Sequence, residues 1–87
     1  MHVFRGKLYD GEAVCLEPAR VYIQLQGGRE DHWFGYVAVP EGTPLEVGKA
    51  YRLQLEDGRS GSLRVNDVAD DGLADRRAMF IGEGPLA

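Results

Sequence analysis

Apolar and polar side chains take turns along most of this chain, and the clearest stretch is Lys49 to Val68, KAYRLQLEDGRSGSLRVNDV. Tyr51, Leu53 and Leu55 alternate with Arg52, Gln54 and Glu56; beyond a turn, Leu63 and Val65 alternate with Ser62 and Arg64. A period of two is the pleat of a half-buried strand, so odd-numbered residues face the core in both segments. Opposed residues of an antiparallel pair share a face, so their numbers sum to an even value and the loop holds an odd number of residues. A two-residue Asp57-Gly58 turn fails this condition. A three-residue loop Glu56-Asp57-Gly58 meets it and puts Gly58 where a type I turn ends in a left-handed residue. The predicted register pairs Tyr51 with Leu63, Leu53 with Gly61 and Leu55 with Arg59. Gly61, on the core side of a strand, predicts a bend that curls the sheet.

The same pattern predicts a hairpin over His2 to Leu16. Phe4, Gly6, Leu8, Val14 and Leu16 share the even face, and a three-residue loop Tyr9-Asp10-Gly11 pairs Leu8 with Glu12, Gly6 with Val14 and Phe4 with Leu16. Arg5, Lys7, Ala13 and Cys15 then lie on the wetter face. Glu17-Pro18-Ala19 predicts a break, because proline cannot donate to a ladder. A further strand runs from Arg20 to Gln26, with Val21, Ile23 and Leu25 inward and Tyr22, Gln24 and Gln26 outward. After the polar loop GGREDH, Trp33 to Val39 is apolar on both faces: Phe34, Tyr36 and Ala38 on one, Trp33, Val37 and Val39 on the other. Such a strand is either covered on both sides or exposes a sticky face. Beyond Val65 the alternation loosens over Asn66 to Asp75. Arg77 to Gly82 makes a last strand, a helical turn over Asp70 to Ala78 is the alternative there, and the tail Glu83 to Ala87 is expected to be loose.

These segments predict an all-β fold: a small antiparallel β-barrel or barrel-like roll of six to seven short strands joined by tight Asp-Gly hairpins. Closure would remove the exposed sheet edges the chain otherwise carries. At 87 residues the chain is one domain, 1–87, burying about 60% of its unfolded surface. Apolar residues at 44% and charged residues at 28% exclude the composition of a disordered chain. Twelve glycines are about twice the usual share, as short strands and tight turns require.

Charge and cysteine narrow the function classes. A formal charge of −4 weighs against non-specific binding to nucleic acid or to an anionic membrane. The single Cys15 can form no internal disulfide. MHVFRGKLYD lacks the apolar run of a secretion signal and no run approaches the ~20 residues that span a bilayer, so the expected setting is cytoplasmic, without membrane contact.

Four chemistries fail on spacing. Ser60 and Ser62 in GRSGS lack the glycine two residues after the serine and the strand-to-helix turn of a nucleophile elbow, and the only histidines are His2 and His32. Cys15, placed beside Arg5 by the predicted hairpin, would have a lowered pKa if reactive, but a lone cysteine in a strand reads more simply as packing. Asp67, Asp70, Asp71 and Asp75 miss the calcium-loop pattern, with Ala69 and Ala78 at ligand positions, and read as a solvated acidic turn. Gly27-Gly28-Arg29 is too short for a phosphate loop. No catalytic constellation, metal site or cofactor is therefore expected.

Two binding surfaces remain. Arg29, His32, Trp33, Phe34 and Tyr36 combine the residue types most often found at protein-binding hot spots, and a second copy of the chain is the simplest cover for an outer apolar face. The expected function is a non-enzymatic protein-interaction module whose partner is another protein or a second copy. The alternative is binding of nucleic acid or a small anionic ligand through Arg5, Lys7, Arg52 and Arg64, which all point outward, as does Tyr22.

Overall fold

The computed structural model describes residues 2–28, 31–40, 42–70 and 76–87. Six strands, β1 (His2–Asp10), β2 (Ala13–Leu25), β3 (Trp33–Val39), β4 (Ala50–Leu55), β5 (Ser60–Asp70) and β6 (Arg76–Glu83), close into an antiparallel barrel in the order β1-β2-β3-β6-β5-β4. Among the described residues, a 3-10 turn, Gln26–Gly28, follows β2. Among the described residues no helix is long and apolar enough to cross a membrane.

The central hairpin has the register its alternation predicts. Tyr51 pairs with Leu63 and Leu53 with Gly61, Leu55 N donates to Arg59 O at 2.8 Å, and Gly58 has φ 97°. Asp57 secures the turn by accepting from Arg59 N at 3.0 Å and from its guanidinium at 3.0 and 2.9 Å. These bonds hold the Asp57 carboxyl below its ordinary pKa of 3.8. Its contribution to folding is therefore complete above that value and is lost as the pH falls through the lower pKa of the folded state. β4 closes the barrel against β1 by pairing Leu53 with Leu8 and Leu55 with Gly6. Gly6 is required there, since a Cβ would run into the Gln54 carbonyl.

The first hairpin differs from its expected form. Asp10 pairs with Ala13 across a two-residue turn, Gly11-Glu12, rather than across Tyr9-Asp10-Gly11. Parity is restored by an extra residue, because the ladder steps from Tyr9–Val14 to Leu8–Leu16 and leaves Cys15 unopposed. Leu8 and Leu16 accordingly face the core, whereas Val14 is 45% exposed. A second shift separates Leu8–Leu16 from Gly6–Ala19, so Glu17 and Pro18 sit in a bulge and β2 continues through them. A bulged residue owes the ladder no N–H, which is why Pro18 bends the strand without ending it. One strand of 13 residues thus replaces two, and the count is six.

A third shift explains the loosened pattern after Val65. Val65 pairs with Phe80 and Asp67 with Met79, leaving Asn66 unopposed. Inward parity changes from odd to even, and Val68 packs on the core. Asp70 ends β5 and Arg76 to Ala78 begin β6, so those residues are strand; positions 71–75 of the alternative helical turn lie outside the described residues. The tail is anchored rather than loose. Leu86 is buried in the core, and Ala87 exchanges hydrogen bonds of 3.0 and 2.9 Å with Ser60.

The core is the inner row of all six strands, with Leu8, Ile23, Leu53, Leu63 and Phe80 among its fully buried members. Trp33 closes one end. Its ring meets Phe80 edge-on at 5.6 Å, Gly82 lies against its face, and Nε1 donates to Gly84 O at 2.9 Å.

Candidate functional site

Strands β2, β3 and β6 turn their inner rows to the core, which forces their outer rows into one band. The register puts Tyr22 opposite Tyr36 and Tyr36 opposite Met79; one step along, Gln24 is opposite Phe34 and Phe34 opposite Ile81. The two tyrosine rings stack at 4.5 Å, 19° from parallel, and the Arg77 guanidinium lies 5.3 Å from the centre of the Tyr36 ring. Around this stack Val3 is 58% exposed, Phe34 38%, Met79 37% and Ile81 54%. A groove of about 560 Å³ runs along the band, lined by Phe34, Tyr36, Met79, Ile81, His32 and Asn66 among others. The band is contiguous, unlike the scattered single apolar residues that any surface carries.

The five residues expected at a protein-contact surface are divided. Phe34 and Tyr36 lie on the outer band. His32 is exposed in the preceding turn, 3.8 Å from Asp31. Trp33 is only 2% exposed and belongs to the core. Arg29 lies outside the described residues. Beside them the fold brings Met79 and Ile81 from β6, Tyr22 from β2 and Val3 from β1, which the alternation of the chain does not single out for this surface.

The basic residues are also sorted. Lys7 binds Glu17 at 2.9 Å, and this contact raises its pKa. Arg64 binds Glu83 at 3.1 Å and donates to Gly48 O at 2.6 Å. The Arg52 guanidinium lies 4.4 Å from the Tyr9 ring centre. Arg5, two residues from Lys7 on β1, stands opposite Arg20 of β2. Of the four, Lys7 and Arg64 are thus paired with carboxylates.

Cys15 is a packing residue in geometry. Its thiol donates to Leu8 O at 3.4 Å, and burial, with the Asp10 charge second, pushes its pKa up. Arg5 faces Arg20 across the ladder, so the lowering expected from a neighbouring Arg5 does not occur. Alkylation by iodoacetamide at pH 8 is expected to be slower in the folded protein than in the urea-unfolded chain by about tenfold or more, since only the thiolate reacts. Equal rates would place the thiol in open solvent. Among the described residues no three His, Cys, Asp or Glu side chains stand together as metal ligands; Asp71 and Asp75 of the acidic cluster lie outside the described residues. Comparison of the chain with protein-family models, with curated proteins and with solved structures finds no match.

Proposed function

We propose that this barrel is a non-enzymatic interaction module that self-associates, copy against copy, through the outer face of β2, β3 and β6. The carrying observation is the contiguous exposed band of Phe34, Met79 and Ile81 around the Tyr22–Tyr36 stack. Covering it removes apolar surface from water at about 25 cal/mol per Å². A two-fold axis lying in the contact plane, across the strands, lays the band of one copy on the same band of its partner.

Three strands of a small barrel span only about 14 Å. The footprint therefore falls below about 1,200 Å² in total, the size of a weak and reversible contact. A cytoplasmic setting belongs to this reading and is supported by the unpaired Cys15.

Sedimentation velocity tests it. The wild-type mass is expected to rise above the 9.6 kDa of one chain as concentration goes from micromolar to millimolar. Ile81→Glu should stay at one chain throughout, because it buries a carboxylate in the contact. Raising salt from about 50 to about 200 mM should change the association little, in contrast to binding that neutralises phosphates. A wild-type mass that stays at one chain, or an Ile81→Glu protein that associates as well as wild type, defeats the reading.

A further inference from the structure

Beside the apolar band, the bulge at Pro18 brings two arginines into an arrangement that nothing in the fold explains. Arg5 on β1 and Arg20 on β2 are direct cross-strand partners, and both are exposed. Like charges placed directly opposite each other destabilise a ladder. Seven of the other described cations are all engaged. Lys7, Lys49, Arg59 and Arg64 bind carboxylates; Arg52 and Arg77 lie over tyrosine rings; Arg76 donates to Thr43 O at 3.0 Å. Among the described residues, neither Arg5 nor Arg20 has a carboxylate within ion-pair distance. In a chain with 14 acidic and 10 basic residues, acids are not scarce. Between the pair runs a groove of about 220 Å³, whose remaining walls are Pro18, Ala19, Ala38 and Pro40. No described carboxylate lines it.

We propose that Arg5 and Arg20 form a binding site for a phosphate monoester carried by a small molecule. One guanidinium fork already satisfies the two oxygens of a carboxylate. Two opposed forks offer about four directed donors, which the three terminal oxygens of a dianionic phosphate monoester, with several lone pairs each, can accept, and its two negative charges match the two cations. The proline and alanine walls give the organic part of the ligand an apolar bed. The site adjoins the contact face, since Arg20 and Ala38 lie two residues beyond Tyr22 and Tyr36 on the outer rows of β2 and β3, but it uses none of the apolar residues of the band. Binding also accounts for the retained repulsion, because the anion neutralises both cations at once.

The test is amide NMR of the full chain titrated with phenyl phosphate, with benzoate, with a phosphoserine peptide and with octathymidylate. Phenyl phosphate is expected to give saturating shifts centred on Arg5, Ala19, Arg20 and Ala38. Benzoate should bind at least about tenfold more weakly. Arg5→Gln and Arg20→Gln should each weaken phenyl phosphate by about tenfold or more, the effect of losing a charge-assisted hydrogen bond. Each variant should melt at or above the wild-type temperature, since it removes a like-charge pair. Shifts that never saturate, benzoate binding as tightly as phenyl phosphate, or binding that survives both substitutions overturns the site. A marked fall in melting temperature in either variant makes the pair structural and also overturns it. Octathymidylate or the phosphoserine peptide engaging these residues where phenyl phosphate does not overturns the small-molecule assignment.

Discussion

Gly35→Ala is expected to leave the chain without a cooperative unfolding transition. Gly35 sits on the inner row of β3, between Ile23 of β2 and Phe80 of β6. A Cβ there would collide with the backbone carbonyl of Tyr22 and stand 3.3 Å from the Ile23 Cα. Overpacking costs about 1–3 kcal/mol where side chains can yield. Here the obstacle is backbone held in the β2–β3 ladder, so relief means separating strands that close the barrel. A loss above about 4 kcal/mol consumes much of the ~5–15 kcal/mol that keeps a domain folded. Urea denaturation followed by circular dichroism checks it. A Gly35→Ala protein within about 1 kcal/mol of wild type would show that β2 and β3 do not approach this closely.

The second large effect is at Trp33. Trp33→Ala removes the largest buried side chain and leaves the Gly84 carbonyl without its indole donor. Truncating a buried tryptophan costs about 3–5 kcal/mol, and a buried acceptor left unpaired adds to that. The loss should spread to the tail, because the indole also lies against Gly82 and Gly61, beside the segment that carries Leu86. The expected observation is a lower urea midpoint together with faster amide exchange at Ala87. Trp33→Phe, which keeps a ring but loses the donor, should fall between the two. A Trp33→Ala protein with the wild-type midpoint would put the indole on the surface, as a contact residue.

How much of this was legible in the sequence depends on where the strands bulge. Tyr51 to Val65 alternates without interruption, and its register could be worked out from parity alone. The His2 to Leu16 hairpin could not, because each bulge inserts a residue and reverses the rule. Cys15, the Glu17-Pro18 step and Asn66 all do this, and only Pro18 announces itself, in a form that also fits a break. That ambiguity hid Arg20, since a strand broken at Pro18 no longer lies opposite Arg5. On the contact face, Phe34 and Tyr36 were visible from the doubly apolar β3. Met79 and Ile81 were not, because Ala78 to Ile81 is apolar at every position and only pairing with β3 decides which residues face out. The partners of two basic residues were hidden for a related reason: Glu17 and Glu83, which pair with Lys7 and Arg64, come beside them only through bulged or cross-strand neighbours.

The most direct check on the contact face is a series of two-dimensional amide NMR spectra of the whole chain over protein concentration. Tyr22, Phe34, Tyr36, Met79 and Ile81 should move together along one binding curve, while Lys7, Arg52 and Gln54 on the β1–β4 side stay still. Spectra that do not change with concentration, or changes centred on β1, β4 and β5, would contradict the account.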